Sequence, residues 1–92
     1  MAKEFSLLID KSCPFQDLHE GAQIRGSGEG GVVDLVVVAS RKSGGGFKDE
    51  GHFLHVKAAA NNHFDNQHPI KKIEYGKDLK RCDVKKCEVL KE

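Results

Sequence analysis

Four of the chain's five histidines fall in one stretch, HFLHVKAAANNHFDNQH, which runs from His52 to His68. Imidazole is the commonest metal-ligating side chain, so a metal centre is the first chemistry to test. Zinc needs about four ligands converging at roughly 2.0–2.3 Å. His52 and His55 are three apart in a segment that reads as a strand, so they point to opposite faces and do not share an ion. The set that can converge is His52, His63 and His68, with Asp65 as an oxygen donor. It requires the polar segment 61–69 to fold back over the start of the strand. Its spacing, H-x10-H-x4-H, matches no common zinc pattern. Surface and loop histidines are the simpler reading, and a metal-binding protein built on these four residues stands as an alternative. No cofactor is expected.

The cysteines and glycines carry less. Cys82 and Cys87 are too far apart for a C-x2–4-C knuckle. Cys13 precedes Pro14, and its nearest histidine in sequence, His19, is no evidence of a base within reach. Buried, inert thiols account for Cys82 and Cys87. An odd cysteine count, and an opening MAKEFSLLIDKSC with no apolar run long enough for secretion, point to a reducing, cytoplasmic setting. The longest apolar run, VVDLVVVA, holds a charge and is too short to span a bilayer, so no membrane contact is expected. GSGEGG precedes a strand, opens no helix and is not followed by Lys-Ser/Thr. It therefore reads as a turn, not a phosphate cradle. No triad or carboxylate pair is apparent, so the chain reads as non-enzymatic.

Charge restricts the partners. Fifteen basic and fourteen acidic residues leave a net charge of +1. The segment from Ile70 onward has eight Lys/Arg against five Asp/Glu, with alternating sign, as on a solvated surface. A nucleic-acid surface would need Arg41, Lys42, Lys57, Lys71 and Lys72 to gather on one sheet face, with Lys48, Phe47 and Phe53 among them.

The elements that must position these residues follow from periodicity. The chain has 92 residues, enough for one small domain spanning 1–92. Phe5, Leu7 and Ile9 alternate with other residues as a first strand would. KSCPFQDLHEG reads as a helical or irregular turn. Eight of the ten glycines lie between Gly26 and Gly51, in two clusters flanking Val32–Ser40. That flanked segment is β-branched and mostly apolar on both faces, which predicts a central strand at least partly covered on both sides. His52–Ala60 predicts the next strand, with Leu54 and Val56 on its core side, joined to the last by a long loop, Arg41–Gly51. NNHFDNQHP is a polar loop, and IKKIEYG a further strand. The tail KDLKRCDVKKCEVLKE reads as a C-terminal helix, with Leu79, Cys82, Val89 and Leu90 on one side and Asp78 as its cap. Against that, Cys82/Val84 and Cys87/Val89 alternate as in a strand. EGAQIRGSGEGGVVDLVVV, an extended segment, a glycine turn and a second strand, resembles the first arm of a small SH3-like barrel. Such barrels bind RNA, proteins or ions.

The fold expected is mainly β, or α+β: a small antiparallel sheet or partly closed SH3-like barrel of four to six strands with a C-terminal helix. The function expected is non-catalytic binding of a macromolecular partner, as an inhibitor, adaptor or assembly subunit. Contacts would come from the loops 41–51 and 61–69, through Phe47, Lys48, His63, Phe64 and Asp65. The partner expected is a protein, with nucleic acid as the alternative. A homodimer formed through an edge strand is a further possibility.

Overall fold

A computed structural model of the chain describes residues 3–10, 13, 18–42, 51–59, 64–65, 67–76 and 80–91. They form six strands: β1 (Glu4–Ile9), β2 (Gln23–Gly28), β3 (Gly31–Lys42), β4 (His52–Ala58), β5 (Lys72–Tyr75) and β6 (Lys80–Lys91). Every pairing is antiparallel, and the order β1-β4-β3-β2-β5-β6 closes on itself where β6 meets β1. The expected small antiparallel fold is thus a fully closed barrel, not an open sheet. Each strand has two neighbours, so no whole edge strand among the described residues remains for a second copy to pair with.

Period-two patterning builds the interior. Phe5, Leu7 and Ile9 from β1, Val33, Leu35 and Val37 from β3, and Leu54 and Val56 from β4 are all but fully buried. Their alternating neighbours face outward. The sequence predicts at least partial cover on both faces of β3, and the structure gives full cover on one and partial cover on the other. Val32 is 55% exposed, and Val36 and Val38 are half-buried. On that outer face, valine serves the extended backbone and not a second core.

The C-terminal helix is not formed: residues 80–91 are strand β6. The five-residue step from Cys82 to Cys87, which breaks a simple alternation, has a local cause. Ile9 pairs with Val84 and Leu8 with Lys86, so Lys85 is an extra, bulged residue. A bulge shifts the phase by one. Both cysteines therefore end on the inner side, in the core or against it. Asp78 and Leu79, the expected cap and first apolar residue of that helix, lie outside the described residues, as does most of KSCPFQDLHEG.

Two connectors join strands that are not neighbours and so cross the ends of the barrel. The first contributes Cys13, Leu18 and Ala22 to the core, and the second contributes Phe64 and Ile70. Cys13 is bonded to Cys82 across 69 residues of sequence, which ties the first connector to β6, and Cys87 is free. The expectation of an inert thiol at Cys82 is therefore corrected. A covalent tie supplements the limited core of a small domain.

The second connector explains the first glycine cluster. Only Glu29 and Gly30 turn, since Gly28 pairs with Gly31. Gly26 and Gly28 lie within β2, on its inner face. A β-carbon at Gly26 would sit 3.0 Å from both Ile70 Cγ2 and Leu35 Cδ1, and one at Gly28 would strike the Pro69 carbonyl oxygen. The glycines leave room for another piece of chain. Ile70 fills that room, and Lys71 then donates its amide to the Ser27 carbonyl while its own carbonyl accepts from Val84, each at 2.8 Å.

Two outcomes are expected in urea unfolding. Gly26→Ala should lose about 1–3 kcal/mol through overpacking, and Gly28→Ala more, because its obstacle is backbone. The double variant Cys13→Ser, Cys82→Ser should lose up to about 4 kcal/mol, as the chain-entropy model gives for a loop of this length.

Candidate binding surface

A bulge also sets the outer wall. Val37 pairs with Val56 and Ala39 with His55, leaving Val38 as the extra residue in β3. Without it, Arg41 would share the inward phase of Val33, Leu35 and Val37. With it, Arg41 turns outward, opposite Phe53. The Arg41 guanidinium lies over the Phe53 ring, 5.2 Å from its centroid. The contact is a cation–π pair.

Cross-strand register continues that row. The half-buried Phe53 is opposite Leu8, which is buried at 5% exposure, and Leu8 is opposite the exposed Lys86. Along β4, the outward residues are Phe53, His55 and Lys57. His55 Nε2 meets Glu4 Oε1 at 2.6 Å, and Lys86 pairs with Glu88 at 3.5 Å. Arg41 and Lys57, both exposed, have no carboxylate partner among the described residues.

On the opposite wall one row is neutralised, although the exposed Lys72 and Lys80 there have no carboxylate partner among the described residues. Asp34, Arg25, Glu74 and Arg81 lie in register across β3, β2, β5 and β6, with alternating sign. Arg25 contacts Asp34 at 3.3 Å, and Arg81 contacts Glu74 at 3.2 Å. This answers the puzzle of a carboxylate in the most apolar strand: Asp34 faces solvent and has a cation beside it. A groove of about 500 Å³ opens on this side, lined by Gln23, Arg25, Asp34, Val36, Glu74 and Tyr75 among others.

The residues expected to act together are scattered. Lys57 lies on β4, whereas Lys72 lies on β5, which occupies the opposite position in the ring, with Lys71 just before it. Lys71 is paired with Glu29 at 3.4 Å. The basic set does not gather on one face. Arg41 and Phe53 do meet, while Lys42 lies at the end of β3; Phe47 and Lys48 lie outside the described residues.

The metal set fares similarly. His52 pairs with Lys42 at one end of β3. Asp65 donates its amide to the Gly30 carbonyl, beside the other end, and His68 Nδ1 meets Asp65 Oδ2 at 3.2 Å. A strand of this length separates His52 from that pair by roughly 30 Å. His63 lies outside the described residues, which hold no cluster of three metal-ligating side chains.

Phe64, Asp65, Gln67 and His68 serve the structure. Phe64 belongs to the core at 7% exposure, against its expected role as a contact. The Gln67 amide donates to Asp65 Oδ1 at 3.0 Å and, with His68 beside it, holds the Asp65 carboxyl below its ordinary value. Burial pushes the Cys87 thiol up, away from the reactive thiolate.

Alternation along β4 already places Phe53 opposite the core side, and the sequence names it beside Arg41, but the bulge at Val38 that turns Arg41 outward carries no glycine or proline to announce it. GSGEGG, read from the sequence as a turn, is a turn only at Glu29 and Gly30; Gly26 and Gly28 belong to β2, where another segment crosses closely.

Phe64→Ala should destabilise the fold by roughly 3 kcal/mol, as a core truncation does, measured by thermal or urea unfolding. Because the Asp65 carboxyl is depressed, its contribution to stability is present above the ordinary carboxylate value. It is lost as pH falls through the lowered one. The Gln67 amide resonance should therefore titrate below the ordinary aspartate range, and Asp65→Asn should abolish that titration. No protein-family model matches the chain, and no curated protein or solved structure matches it either.

Proposed function

We propose that the protein is a non-catalytic module that binds a protein partner on the outside of its barrel, across the β3–β4 wall around Phe53. One observation carries this reading: an outward aromatic under the Arg41 guanidinium, with Arg41 and Lys57 on the same wall lacking carboxylate partners among the described residues, while Arg25 and Arg81 on the opposite wall are each paired. The interior is occupied by the side chains of β1, β3 and β4 and by Ile70, which favours surface recognition over an enclosed site. Aromatic and arginine side chains are those most enriched at binding hot spots.

The expected contribution of loop 41–51 fits this wall, since β3 and β4 lead directly into it. The contribution expected of 61–69 fits less well, because Phe64 is in the core. The nucleic-acid reading is weakened by the placement of Lys71 and Lys72 across the barrel from Lys57. No helix of the described residues is long and apolar enough to cross a membrane. The Cys13–Cys82 bond supports an oxidising compartment over the cytoplasm that the cysteine count suggests.

Immobilised protein should capture a specific partner from extract. Arg41→Glu and Phe53→Ala should each lose it, while Arg25→Ala on the opposite wall should retain it, with bound species identified by mass spectrometry. Equal capture by all variants would reject this surface.

A further inference from the structure

We propose that the Phe53 wall recognises an extended acidic segment, with one carboxylate on Arg41 and a second, four residues along, on Lys57. This inference rests on the binding surface argued above and specifies its ligand.

The geometry of Arg41 comes first. A guanidinium stacked on an aromatic ring uses its face for the ring, while its N–H donors lie in its plane. Arg41 lies over the Phe53 ring and makes no ion pair with a described carboxylate, so its donors are open to a carboxylate of a ligand. A bidentate arginine–carboxylate contact is among the stronger charge-assisted hydrogen bonds.

The second cation lies at a strand-like spacing. Lys57 is four residues beyond Phe53 on β4, and both face outward. Four residues of strand span about 13 Å. An extended ligand presents positions i and i+4 on one face at the same spacing. Between the two cations lies His55, held by Glu4 at 2.6 Å. Glu4 is the carboxylate opposite Lys57 in register, and its contact with His55 leaves Lys57 without a described partner. The charge complement of this row is a pair of acids, and its shape complement is an extended backbone.

Single-stranded nucleic acid is the competing ligand, since it is also anionic and stacks on aromatics. Arg41 already covers a face of Phe53, and Lys71 and Lys72 stand on the far side of the barrel. The observations therefore favour carboxylates.

The test is an amide NMR titration of the full-length protein. The probe is a blocked pentapeptide with glutamates at its first and fifth positions and β-branched residues between them. Shifts should concentrate at Arg41, Phe53, His55 and Lys57. Arg41→Glu and Lys57→Glu should each weaken binding about tenfold or more, equivalent to one charged contact. Lys72→Glu on the opposite side should leave it unchanged. Equal binding of a pentapeptide with adjacent glutamates would overturn the spacing argument and with it the proposal. Oligothymidine shifting these residues while the peptide does not would overturn it in favour of nucleic acid. No shift from either probe would also overturn it. In that case continued loss of partner capture by Phe53→Ala would show that the surface is used for a different ligand, whereas unchanged capture would remove both readings.

Discussion

The ring depends on an absence of side chains at Gly26 and Gly28. A six-stranded barrel closes only if β5 reaches both β2 and β6, yet β5 has just four residues. What extends its ladder is Lys71, bonded to Ser27 on one side and Val84 on the other. Lys71 can sit there because Pro69 and Ile70 lie against the bare inner face of β2. A β-carbon on that face would displace Ile70, and the displacement would pull Lys71 from both partners. Packing and hydrogen bonding are thus one constraint, and the strand order follows from it.

Bulges divide the inside of the barrel from its outside. A regular strand as long as β3 or β6 would keep one phase along all twelve residues. The extra residue at Val38 releases Arg41 to the surface, and the one at Lys85 brings Cys87 to the inner side beside Leu7. The outer face then carries two kinds of charge order. On β3-β2-β5-β6 the signs alternate across strands, which favours this register, since a slipped strand would meet like charges or none. On the β3–β4 wall Arg41 and Lys57 lie on the same side as Phe53 without that compensation. What distinguishes the β3–β4 wall is the aromatic beneath one of its cations, and this pairing supports the proposed binding wall.

Much of the barrel was legible from local pattern. Alternation at Phe5, Leu7 and Ile9 and at Leu54 and Val56 identified two inward faces, because a period of two survives any topology. The β-branched run at Val32–Ser40 identified the central strand and its partial outer cover, though not that Val32 stays largely exposed, since valine favours extended backbone whether or not it is buried. The tail misled for the opposite reason. A bulge at Lys85 turns two honest strand alternations into an irregular one, and irregular spacing of apolar residues resembles a helix. The metal and nucleic-acid sets failed on distance. Histidines close in sequence sit near opposite ends of β3, and lysines of similar character sit on strands across the ring from each other. Only the strand order decides such questions, and no single segment encodes it.

Closure of this ring has a kinetic side. β1 is buried between β4 and β6, and Glu4 pairs with Lys91, so the first and last strands of the chain must meet. Such remote contacts demand loop closure before they yield stability, and all-β domains of this kind fold in roughly milliseconds to seconds. Until β6 arrives, β1 carries Phe5, Leu7, Leu8 and Ile9 with one of its edges unpaired. A nascent or transiently opened chain therefore presents an apolar strand edge that the finished barrel hides, and this is the state most exposed to aggregation or to chaperone capture.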